Sequence, residues 1–78
     1  MTVEFEGRRY AVLLGSDVRN DGMYLEMSEV TNSAPDVVLL AFHSEADGRM
    51  TFSAYREDLP FSAVEWFLSE AKRRLRRA

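Results

Sequence analysis

The sequence predicts an α+β fold, an antiparallel meander of about five strands with one C-terminal amphipathic helix packed on one face. Three observations carry this expectation. Short runs that alternate apolar and polar residues, such as "MYLEMSEV" and "MTFSAY", recur through the first two thirds of the chain, as half-buried strands require. Clusters of Gly, Asp, Asn and Ser separate those runs at hairpin intervals. In "LPFSAVEWFLSEAKRRL" the apolar period then changes from that of a strand to that of a helix.

The elements follow in order. "FEGRRY" places Glu6-Gly7 between two alternating runs, so strands are expected over 2–6 and 8–15 with Gly7 at a left-handed position in the turn. "GSDVRNDG", residues 15–22, is expected to be a loop. Met23, Leu25 and Met27 share one face of a strand over 22–30, with Tyr24, Glu26 and Ser28 on the other. "TNSAPD" breaks that strand at Pro35. "DVVLLAFHS" is apolar without alternation, which suits a strand over 36–44 in the middle of the sheet. Asp47-Gly48 signals the next hairpin, and a strand over 49–56 turns Met50, Phe52 and Ala54 inward.

A helix is expected over 60–76. Pro60 suits its first turn, and Asp58 or Ser62 can cap it, the latter with Glu65 as a capping box. Phe61, Val64, Phe67, Leu68, Ala71 and Leu75 gather on one stripe, which should lie on the sheet. One helix covers only one sheet face. On the other lie either Ala11, Leu13, Val37, Leu39 and Ala41 or their alternates Tyr10, Val12, Leu14, Val38, Leu40 and Phe42. Self-association through the sheet would cover them.

The 78 residues form a single domain, 1–78, with no repeat or linker-like stretch. A core of this size contributes about 3–5 kcal/mol, and without cysteine no disulfide can add to it. The absence of cysteine and of a signal-peptide pattern in "MTVEFEGRRY" leads to a cytoplasmic expectation. The longest apolar run, Val37 to Phe42, is too short to span a bilayer, so no membrane partner is expected. Residues 1–71 carry a net charge of −8 and residues 72–78 a net charge of +5. The body is acidic and its end basic, a distribution that bears on partners more than on fold.

The sequence offers little catalytic chemistry, and no enzyme, cofactor or metal is expected. His43, Ser44 and Asp47 share one segment, but adjacent strand residues point to opposite faces and cannot form a triad. His43 and Glu45 alternate correctly for a metal yet lack a third ligand. "DVRNDG" opens like a calcium loop, but Arg19 and Ser28 occupy ligand positions. Glu26 and Glu29 fall on opposite faces of a regular strand, so they do not make a paired-carboxylate site.

Binding is the expected mode of action. Trp66 falls about 200° from Val64 on the helical wheel, beside Ser62, Ser69 and Arg73. Leaving that much apolar surface in water would forfeit about 4–6 kcal/mol of gross burial. Two roles are open: an interface anchor, or an aromatic covered locally by Glu70, Arg73 and "TNSAP". The interface expected from the sequence comprises Trp66, Arg73, Tyr24, Glu26 and Glu29. A second class of function is a nucleic-acid-associated protein using "KRRLRR", which the acidic body opposes. The same cations also suit the negative end of the helix dipole.

The order of elements, a "Y-x-E" strand at Tyr24 and Glu26, and the closing "LPFSAVEWFLSEAKRRL" helix give the chain an outline that resembles the small immunity proteins encoded beside bacterial toxins, and their relatives. The resemblance implies a non-enzymatic protein that binds and blocks a partner. Its acidic surface, with Asp17, Asp21, Glu26, Glu29 and Asp36, would then face a basic toxin. The partner expected is therefore a protein, either a second copy in a homodimer or a toxin-like molecule.

Overall fold

A computed structural model describes residues 1–75. The fold is α+β. Strands β1 (Thr2–Phe5), β2 (Arg8–Asp17), β3 (Gly22–Glu29), β4 (Asp36–Ser44) and β5 (Met50–Ala54) precede helix α1 (Phe61–Leu75). The strands form one antiparallel sheet in chain order, and α1 packs over β3 and β4. β4 is an inner strand as its composition suggests, although the central place belongs to β3.

The β1–β2 connection is a two-residue turn in which Glu6 and Gly7 both have positive φ, 51° and 76°. Such a turn matches the twist of the strands it joins. β2 runs to Asp17, two residues past the expected end, because Ser16 and Asp17 pair with Met23 and Gly22. Gly15 lies beneath the Tyr24 ring, where an added Cβ would meet the ring's Cζ at 2.6 Å. The glycine that suggested a loop is thus a cradle for an aromatic side chain.

The helix-side face of the sheet carries Tyr10, Val12, Leu25, Met27, Leu39 and Ala41, all buried. From α1, Ala63, Phe67, Ala71 and Leu75 complete the core. This stripe, spaced every four residues, is rotated from the expected one: Phe61 is 76 % exposed and Leu68 is also exposed. The two alanines permit close approach to the sheet, while Trp66 turns toward β1. There its ring lies 5.7 Å from that of Phe5. Trp66 is therefore half-buried at the edge of the core rather than opposite it, with Phe5 as a neighbour.

The helix start also differs from expectation. Pro60 precedes the first helical residue, and its carbonyl accepts from the amides of Ala63 and Val64 at 3.0 and 3.2 Å. Ser62 already lies within the helix, so it is not the N-cap and the expected capping box is displaced. Asp58 adopts a left-handed φ of 57° in the preceding turn. Arg76, the expected last helical residue, and Arg77 lie outside the described residues.

A bulge in β4 decides which residues face away from the helix. Met27 pairs with Leu39 but Ser28 with Val37, so Val38 is the extra residue and is fully buried. The bulge reverses the phase of β4. The uncovered face takes Ala11 and Leu13 from β2 with Val37, Leu40 and Phe42 from β4, which is neither of the two sets drawn by unbroken alternation.

Candidate functional site, the open face of the sheet

Cross-strand register builds this face in rows. Leu13, Glu26, Leu40 and Ser53 lie side by side across four strands, and Gly15, Tyr24, Phe42 and Thr51 form the next row. Leu13 is 53 % exposed, while Tyr24, Glu26, Leu40 and Phe42 are half-buried. Two glycines shape the second row: the Tyr24 ring covers Gly15, and the Phe42 ring covers Gly22. The rings therefore lie low, leaving a shallow depression bounded by Asp17, Tyr24, Glu26, Leu40 and Phe42. A second hollow, bounded by Asp36, Val37 and Tyr55, shares Glu26 and Leu40 with the first.

The face is an apolar trough with a carboxylate at one end and one in the middle. Glu26 stands between Leu13 and Leu40, and among the described residues no ion pair engages it. At one end Asp17 is held in loop chemistry. Its carboxylate accepts from the backbone amide of Asn20 at 3.0 Å and from that residue's side-chain amide at 2.8 Å. These bonds hold the Asp17 carboxyl below its ordinary value. They also account for the calcium-loop pattern of "DVRNDG" as a turn.

The five residues expected at an interface do not share one surface. Tyr24 and Glu26 come together on the open face. Glu29 is on the helix side, buried, where Arg8 donates two hydrogen bonds to its carboxylate, at 3.0 and 3.1 Å, and Arg56 donates another. Arg56 also reaches Asp36 at 2.6 Å, so an ion chain links the ends of β2, β3 and β4 to the segment after β5. Glu29 and Asp36 are structural here, both held by Arg56, which leaves Asp17 and Glu26 of the expected acidic surface beside the trough. Trp66 and Arg73 belong to the helix. Arg73 bonds Glu70 at 2.7 Å and Arg74 approaches the same carboxylate at 4.0 Å.

Sequence reasoning passed over the ion chain although a signal for it was present. If Tyr10 points inward, so does Arg8, and a guanidinium beside the core requires a carboxylate. Val37 could not be grouped with Leu40 and Phe42, because the bulge that joins them leaves no mark in "DVVLLAFHS". His43 lies on the helix side, with Nδ1 3.7 Å from the Glu45 carboxylate. Among the described residues, no three His, Cys, Asp or Glu side chains gather closely enough to hold a metal ion. No helix among them is long and apolar enough to cross a membrane.

No family model, curated protein or solved structure matches this chain. The open face must be understood from its own geometry. Its shape and charge favour a partner surface that is apolar with one or more cations, since Leu13, Leu40, Tyr24 and Phe42 offer area while Glu26 rewards a positive charge placed between them.

Proposed function

We propose that this chain is a non-enzymatic binding protein that grips a basic protein partner with the open face of its sheet, acting as an inhibitor, immunity factor or adaptor. One observation carries the proposal: an uncovered face on which Leu13, Tyr24, Leu40 and Phe42 surround Glu26, with Asp17 at one end. A row of half-exposed apolar residues costs solubility and adds little to the core on the opposite face, so its retention has a functional rationale. A central carboxylate at such a site disfavours a purely apolar partner and selects a cationic one. The outline resemblance to immunity proteins suggests the same mode of action.

The test compares wild-type protein with Leu40→Glu and Glu26→Lys as bait in extract of the native cell. Leu40→Glu puts a second carboxylate in the apolar row, and Glu26→Lys reverses the central charge. The wild type should retain a basic protein that both variants lose, with far-ultraviolet circular dichroism unchanged. Retention by both folded variants of whatever the wild type binds would refute the open-face reading.

A further inference from the structure

The free edge of β5 differs from the rest of the sheet. β5, "MTFSA", carries no charged residue, whereas each of the other four strands carries at least one. Edge strands are ordinarily protected from pairing by charges, proline or bulges. β5 has none of these, and its register with β4 is regular along its length.

Backbone geometry shows what this edge offers. The Ser44 amide donates to the Arg49 carbonyl, and the Tyr55 amide donates to the Val38 carbonyl, each at 2.9 Å. Hydrogen-bonded pairs alternate along an antiparallel ladder. With 49 and 55 bonded inward, so are Thr51 and Ser53, and the amides and carbonyls of Met50, Phe52 and Ala54 point outward. The outward set is symmetric about Phe52.

The same residues border exposed apolar surface. Met50 is 41 % and Phe52 46 % exposed, because α1 packs mainly over β3 and β4. Phe67 points toward this side, its ring 6.3 Å from that of Phe52, while Trp66 points toward β1. Continuing around the helix from Phe67, away from Trp66, come Val64, Leu68 and Phe61. The exposed flank of the helix therefore lies on the β5 side.

We propose that β5 is a self-association edge, pairing antiparallel with β5 of a second copy about a two-fold axis through Phe52. That register sets Phe52 opposite the second copy's Phe52 and Met50 opposite its Ala54, so every outward amide and carbonyl finds a partner. The axis is perpendicular to the sheet, which keeps both helices on one side and brings the two Phe52 rings together between their exposed flanks. On the other side the register puts the exposed Arg49 across from the second copy's Tyr55, which is 59 % exposed. A guanidinium over a phenol ring is a favourable contact. A second copy is the occupant to which the edge is suited, because a neutral strand symmetric in its outward groups meets no like charge when it meets itself. The interface is distinct from the open face, and its test is independent of the partner proposed above.

Sedimentation velocity across micromolar to millimolar protein, with amide hydrogen exchange, decides the matter. The wild type should form a concentration-dependent dimer in which the Phe52 and Ala54 amides gain protection with concentration, while those of Thr51 and Ser53 are protected throughout. Ala54→Pro removes an outward donor without touching the ladder to β4. Phe52→Lys places like charges across the axis. Both should be monomers with the circular dichroism of the wild type, and Leu40→Glu should still dimerise. A wild type that stays monomeric at millimolar concentration overturns the proposal, as does a dimer that survives in folded Ala54→Pro and Phe52→Lys. Should both variants unfold, wild-type exchange decides: protection of the Phe52 and Ala54 amides that does not change with concentration overturns the proposal.

Discussion

Glu29 shows how far one residue's role can depart from its place in a charge pattern. In sequence it is one more acid on an acidic strand. In the fold it faces Tyr10 across the ladder at the end of the core, and two guanidinium groups satisfy it. Hydrogen bonds from Arg56, and then from Arg8, hold its carboxyl below the ordinary 4.5, outweighing the opposing effect of burial. A carboxyl depressed on folding contributes stability in full above its unfolded value, and the contribution is lost as pH falls through the folded value. Glu29→Gln should therefore cost about 1–3 kcal/mol near neutral pH, between the exposed-pair and buried-pair ranges because both guanidinium groups remain partly in water. The gap between wild type and variant in urea unfolding should close as pH falls below 4.5. Asp17 and Asp47, also depressed by hydrogen bonds, destabilise both proteins in acid and cancel in that difference. A gap that stays constant between neutral and acid pH would show that the carboxylate's charge is not what stabilises the cluster.

At the scale of elements, the sheet was legible because alternation and turn chemistry agree in "MYLEMSEV", "FEGRRY" and "ADGR". The helix was legible in length but not in rotation. Its wheel holds aromatics nearly all round, so composition cannot say which of Phe61, Trp66 and Phe67 the sheet will cover. The decision belongs to β1, a four-residue edge strand whose Phe5 meets Trp66 and draws that flank inward. The open face was only half legible for a similar reason: Tyr24 and Glu26 follow from regular β3, but Val37 joins Leu40 and Phe42 there only because Val38 bulges. Trp66 accordingly should behave as local cover. Trp66→Ala is expected to cost about 2–3 kcal/mol, below the range for a fully buried aromatic. In a double-mutant cycle with Phe5→Ala, the pair should show a coupling of about 0.5–1.5 kcal/mol. Chemical denaturation measures both. A loss under half a kilocalorie with no coupling would return Trp66 to the surface and restore it as a candidate anchor.

For the molecule as a whole, the sheet separates two kinds of charge. Asp17 and Glu26 mark the open side, while Lys72, Arg73 and Arg74 close the helix on the opposite side. Arg73 and Arg74 lean on Glu70 and complement the helix dipole, so part of the basic character is engaged within the helix. The side that presents apolar area is the side that carries Asp17 and Glu26. A cationic partner would therefore be attracted before contact and oriented toward the trough, and apolar burial would then retain it. These two stages respond differently to salt. For the partner captured by the wild type, raising ionic strength from about 50 to about 500 mM should slow association by roughly tenfold or more while changing dissociation little, because a buried contact is screened far less than a long-range field. Glu26→Gln keeps the shape of the face and removes its central charge. It should flatten the salt dependence of association and, because a desolvated cation would lose its counter-charge, also speed dissociation. Surface plasmon resonance at several ionic strengths resolves both rates. Association that does not change with salt would mean that the acidic surround has no part in recognition, and that the open face selects its partner by shape and apolar contact alone.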